Sequence, residues 1–175
     1  ILRASRVPAI YVTHDQQEAL FMGDLVAVMN EGRLEQIGTP EELYLSPASR
    51  FIAGLLDSAI MLPAQVVVEG FQTIDLGLVR QDVSPAAIGT WVDLLLRPNE
   101  FILTPAPEAP CLVEERQFYG AYFVYTVRLP SGRLVETMQA PRVALRGGDR
   151  VSVALDPGRP LWYFPHGADS PTPSS

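Results

Sequence analysis

Beyond Leu56 the chain is divided by glycine and proline into nine short β-prone segments with no helical run among them. They cover residues 64–69, 71–76, 91–97, 101–103, 112–118, 121–129, 134–138, 150–155 and 161–164. Strands of this length bury their apolar faces only by closing on one another, so this part is expected to be a small all-β barrel or sandwich. Pro130-Ser131-Gly132-Arg133 is the clearest hairpin turn. Val151, Val153 and Leu155 alternate with Ser152 and Ala154, which puts one face of that segment against a core.

The first third has a different character. Ile10-Tyr11-Val12 reads as an apolar strand that gives out at Thr13-His14-Asp15, after which Gln16 opens a helix closed by Gly23-Asp24. Val7-Pro8 is biased away from helix, so residues 1–9 read as a helix end, with Leu2 a packing residue. Residues 25–29 suit a buried strand, Asn30-Glu31-Gly32-Arg33 a tight turn with Gly32 able to supply positive φ, and 34–37 the return strand. Thr39-Pro40-Glu41-Glu42 combines a cap, a proline at the first helical position and a capping-box glutamate. Ser46-Pro47 repeats the signal for a further helix carrying Phe51, Ile52, Leu55 and Leu56 on one stripe.

His14 is the leading site candidate, because strand ends in α/β sheets face the crevices where ligands bind. Its alternative is a plain polar turn residue. A metal cluster of His14, Asp15 and Glu18 would use residues three and four apart on a helix face, but no second histidine stands nearby, His166 being read with the flexible tail. A serine hydrolase reading fails for want of a Gly-x-Ser-x-Gly elbow.

The net charge of −7 and the dispersal of the thirteen basic residues, all arginine, argue against nucleic acid. Phe118, Tyr119, Tyr122 and Phe123 would otherwise suggest base stacking; on such strands they are expected to pack a core or subunit interface. No apolar run approaches the length of a membrane span. The single cysteine, Cys111, forms no internal disulfide, fits a reducing compartment, and has the apolar neighbours of an ordinary buried thiol. The chain opens at Ile1 in what reads as the middle of a domain, which suggests a piece of a longer protein.

The run 11–19, Tyr-Val-Thr-His-Asp-Gln-Gln-Glu-Ala, with 24–33 and Gly38-Thr39-Pro40-Glu41-Glu42-Leu43-Tyr44, resembles the end of the nucleotide-binding domain of an ABC importer ATPase. The β-rich part is similar to the family's C-terminal oligonucleotide-binding-like accessory domain, often called TOBE. That likeness rests on Leu94-Leu95-Leu96-Arg97-Pro98, on Arg116-Gln117-Phe118-Tyr119-Gly120-Ala121, on Leu129-Pro130-Ser131-Gly132, and on Gly148-Asp149-Arg150-Val151. The two likenesses cover residues 7–165, and the surroundings of Arg97 and Arg133 look closest to ferric-ion or polyamine-type members. The implied fold is α+β: a remnant of an α/β ATPase domain over 1–57, an all-β OB-like (TOBE) domain over 58–166, and a flexible tail over 167–175.

The resemblance implies that His14 reaches the γ-phosphate of ATP, with Mg as the companion cofactor. It also implies a homodimer, transmembrane permease subunits as partners, and a cytoplasmic location at the inner face of the membrane. No Gly-rich loop ending in Lys-Ser or Lys-Thr is present, nor the acidic strand pair, glutamine loop or signature loop, so these residues alone are not expected to hydrolyse ATP. The alternative is a small-ligand or anion sensor acting on the importer by allostery, with Arg97, Glu100 and Arg116 as candidate contacts. Asn99 stands where an acidic residue often follows the Arg-Pro pair, which departs from the family at that turn. Salt-bridged turn residues are the plainer reading of the three.

Overall fold

A computed structural model describes residues 8–56, 58–81, 87–141 and 145–167. The helix end expected over 1–9 falls, up to residue 7, outside them, as does the tail from 168. The chain divides into two compact units, Ile1–Leu56 and Asp57–Ser175.

In the first unit a short helix α1 (Gln16–Met22) is followed by a hairpin of β1 (Val26–Asn30) and β2 (Arg33–Gly38), then by helices α2 (Pro40–Leu45) and α3 (Arg50–Leu55). The hairpin closes on Glu31 and Gly32, at φ 47° and 76°. Two successive positive φ values are what a two-residue loop matching the strand twist requires, and the expected glycine supplies one of them. The register shifts by one residue between Val28 and Met29.

Helix α2 begins with the expected capping box: Glu42 N–H donates to Thr39 Oγ1 at 3.2 Å, and Thr39 N–H to Glu42 Oε2 at 2.8 Å. The next helix starts later than Ser46-Pro47 suggests. Ser46 ends α2 with its N–H on the Glu42 carbonyl, Pro47 is buried, and Ser49 caps α3 by accepting from Ile52 N–H. Val28, Leu43, Ile52 and Leu56 form a small core.

The strand expected at Ile10-Tyr11-Val12 does not form: the segment has no regular secondary structure, with Ile10 98% and Val12 88% exposed. A strand exists through its ladder, and no neighbouring backbone among the described residues pairs with this one.

The second unit contains two antiparallel five-stranded sheets around one core. One runs β12 (Trp162–Pro165), β6 (Trp91–Leu96), β3 (Ile60–Val67), β4 (Gly70–Thr73), β5 (Gly77–Arg80). The other runs β10 (Leu134–Gln139), β9 (Phe123–Arg128), β8 (Cys111–Phe118), β11 (Arg150–Leu155), β7 (Phe101–Pro105). This is the OB-like barrel or sandwich architecture. Leu62, Val66, Leu94 and Leu96 from the first sheet meet Val113, Tyr125, Val127 and Val151 from the second. Tyr125 is fully buried in this core, and its hydroxyl accepts a hydrogen bond from Leu145 N–H at 3.2 Å. Strand β5 is absent from the expected segments, and β3 begins earlier, at Ile60, where it pairs with Leu96.

The turn at Pro130-Ser131-Gly132-Arg133 is formed as expected, with Gly132 at φ 85°. Ser131 N–H reaches Asp75 Oδ1 at 2.9 Å, which ties this hairpin to the β4–β5 turn.

Candidate functional site

His14 sits in an exposed bend between that irregular segment and α1. The residues on either side of it are fixed. Asp15 caps the helix, its Oδ1 accepting from Gln17 N–H at 2.8 Å and Glu18 N–H at 3.1 Å. Thr13 Oγ1 accepts from Asp15 N–H at 2.9 Å and donates to Glu18 Oε2 at 2.9 Å. The Tyr11 hydroxyl donates to the same Glu18 oxygen at 3.1 Å. The hydrogen bond to this carboxylate, and then its charge, raise the Tyr11 pKa above the ordinary phenol value. Glu18 therefore serves two hydroxyls of the preceding segment, an arrangement that differs from a ligand set of His14, Asp15 and Glu18 around a metal.

Of the other candidates, Arg97 and Glu100 come together and Arg116 does not join them. Arg97 is 2% exposed at the end of β6, and its N–H donates to Glu100 Oε2 at 2.8 Å across the short 3-10 turn Pro98–Glu100. Glu100 Oε1 faces Arg159 Nη1 at 3.9 Å, and the Glu100 carbonyl accepts from Asp156 N–H. The Glu100 carboxylate thus closes the turn. Arg116 lies on β8 in the other sheet, its guanidinium 5.1 Å from the centre of the Phe123 ring and its Nη1 donating to the Leu145 carbonyl at 3.4 Å. The aromatic group around it is divided: Phe123 packs against the core, while Phe118 and Tyr119 are 64% and 55% exposed. Tyr119 and Tyr122 stack with ring centres 5.4 Å apart. Cys111 is buried, as its neighbours suggest, and burial pushes its thiol pKa up, with a smaller contribution from the charge of Asp75.

One polar pair went unread in the sequence. His166 does not belong to a loose tail: its Nδ1 lies 2.8 Å from Asp93 Oδ1, its backbone N–H reaches the Trp91 carbonyl, and its ring is 6.2 Å from that of Trp91. Asp93 is 1% exposed. At this distance the two groups share one hydrogen bond. Replacing His166 with alanine takes a hydrogen bond from a buried carboxylate and should destabilise the second unit by about 1–3 kcal/mol in urea unfolding. An unchanged midpoint would show the pair to be energetically neutral. The available signal was an aspartate inside the run Trp91-Val92-Asp93-Leu94, since a charge in an otherwise apolar strand needs a partner.

Comparison with known proteins places this geometry. The TOBE domain model matches residues 94–162, from within β6 to the first residue of β12. A spermidine/putrescine import ATP-binding protein of Rubrobacter xylanophilus is 40% identical over 160 residues, which is 84% of this chain and 42% of that protein. The match is longer than the β-rich unit, so it extends into the first unit. The chain matches the C-terminal part of ABC importer ATP-binding subunits. Other relatives in this family are a trehalose/maltose import ATP-binding protein of Thermococcus litoralis, 40% identical over 134 residues (75% of this chain, 33% of that protein), and an Fe(3+) ions import ATP-binding protein of Yersinia pestis, 37% identical over 164 residues (89% and 46%). The chain spans less than half the length of these curated relatives. No helix among the described residues is long and apolar enough to cross a membrane.

Proposed function

We propose that this chain serves, within a longer ABC importer subunit, as the segment that brings a histidine to the ATP γ-phosphate and as the accessory domain that follows it. The supporting observation is the long alignment to import ATP-binding proteins at 40% identity, together with an exposed His14 on a turn fixed at both neighbours. In this reading the longer protein binds ATP and Mg, hydrolyses ATP at a two-subunit interface, and drives permease subunits from the cytoplasmic face of the membrane. Neutral imidazole offers one donor and one acceptor, which suits a link between the phosphate and the attacking water. The missing phosphate-binding lysine and acidic residues then come from elsewhere in that subunit.

The solute class we infer is polyamine or ferric ion, from the surroundings of Arg97 and Arg133 and from the recurrence of spermidine/putrescine import proteins among relatives that also include Fe(3+) and trehalose/maltose import proteins. The role of Glu100 in closing its own turn favours a structural accessory domain over an effector site at Arg97.

Hydrolysis by the longer protein with His14 replaced tests the catalytic part of this reading. Sedimentation equilibrium of the 175-residue chain tests the rest, with ATP, phosphate, ferric citrate and spermidine as separate additions. The expected result is a dimer that forms without any addition. A monomer whose association shifts with one of these compounds would replace the constitutive dimer contact with a sensor.

A further inference from the structure

We propose that Glu18 is a positioning residue for His14, drawing the hydroxyls of Tyr11 and Thr13 onto one carboxylate oxygen so that the histidine turn is set before nucleotide arrives. The inference rests on the reading of His14 given above. His14 is exposed, and no hydrogen bond among the described residues holds the imidazole itself, so its placement depends on the chain on either side.

That chain is tied from two directions. On the helix side, Asp15 is locked by the two N–H groups it caps. On the other side, the segment before His14 pairs with no strand among the described residues, and side chains tie it to α1: Tyr11 Oη and Thr13 Oγ1 lie 3.1 and 2.9 Å from Glu18 Oε2. Thr13 does both tasks, since the oxygen that donates to Glu18 also accepts from Asp15 N–H. Glu18 stands in the first turn of α1, whose opening N–H groups favour a carboxylate there. The raised Tyr11 pKa agrees with a phenol held as a donor to that charge. Orientation fixed in advance enters the rate of the chemical step, and the affinity for ATP is set largely by other groups.

The test uses the longer protein that carries this segment, with kcat and KM for ATP measured in Glu18→Ala, Glu18→Gln, Tyr11→Phe/Thr13→Val, and His14→Ala. Glu18→Ala should lower kcat about tenfold or more while KM stays within about twofold, as expected for a group that acts through the geometry of another. Glu18→Gln keeps an acceptor oxygen and should recover most of the rate. The Tyr11→Phe/Thr13→Val pair should reproduce the loss and add little on top of Glu18→Ala, because all three belong to one network. Wild-type kcat in Glu18→Ala, or in the Tyr11/Thr13 pair, alongside a dead His14→Ala would overturn the positioning role and leave the histidine assignment standing. Undiminished turnover in His14→Ala would overturn both. The thermal midpoint separates these effects from unfolding: Tyr11, Thr13 and Glu18 lie at the surface or half-buried, so the midpoint should hold in every variant.

Discussion

Gly70→Ala should destabilise the second unit by about 3 kcal/mol or more, roughly a hundredfold in its folding equilibrium. Gly70 opens β4 directly after the two-residue turn from β3, pairing with Val67 on one side and Arg80 on the other. Its φ of 140° lies where L side chains are strained, at a cost of about 1–3 kcal/mol. A Cβ there would overlap the Val79 carbonyl oxygen and come within 2.8 Å of Gln81 N, both backbone atoms with no rotamer to give way. Relief requires β4 and β5 to part, and the Gln81 N–H to Glu69 carbonyl bond that closes this corner would go with them. Forcing bulk into a packed site adds about another 1–3 kcal/mol. Thermal unfolding followed by circular dichroism should show a midpoint lower by more than about 10 °C for a unit of this size. A shift of a degree or two would mean that the corner relaxes easily, and that the glycine is there for a reason other than space.

In the longer protein, His14→Ala should reduce kcat by at least about a hundredfold, the scale set by removing a hydrogen-bonding group that acts in the transition state. ATP affinity should change little, because the phosphates are held mainly by backbone N–H groups and lysine in this chemistry. Equilibrium binding of a labelled nucleotide and single-turnover hydrolysis on the same preparations separate the two effects. Hydrolysis at the wild-type rate would remove His14 from the catalytic machinery. In the 175-residue chain the same change should leave the melting curve in place, since the side chain is exposed and makes no hydrogen bond among the described residues.

Features legible in the sequence were those written locally. The Thr39 capping box lies within four residues, and the hairpin over 26–38 announces itself by an apolar run that ends in a turn at Glu31-Gly32. The β-rich unit was readable as such because its strands are short and bounded by turn residues. Strand β5 was missed because Gly77-Leu78-Val79-Arg80 has neither length nor alternation; it is a strand through its pairing with β4. The opposite error occurred at Ile10-Tyr11-Val12, where high β propensity stands without a ladder among the described residues. At the candidate sites, a local signal put Arg97 and Glu100 on one turn, where the Arg97 backbone N–H meets the Glu100 carboxylate. It could not place Arg116 over Phe123 or pair Asp93 with a histidine 73 residues further on, since those contacts are made by the sheet topology.

Cys111 is the chain's lone thiol, 3% exposed and with its pKa raised chiefly by desolvation. An aqueous thiol reagent meets it only when β8 opens, and the desolvation that raises its pKa is relieved in the same event. Its labelling rate is therefore a clock for openings of the second unit, built into the native sequence with no cysteine to be engineered. With reclosing faster than labelling, the ratio of that rate to the rate in denaturant gives the fraction of time the core stands open under native conditions.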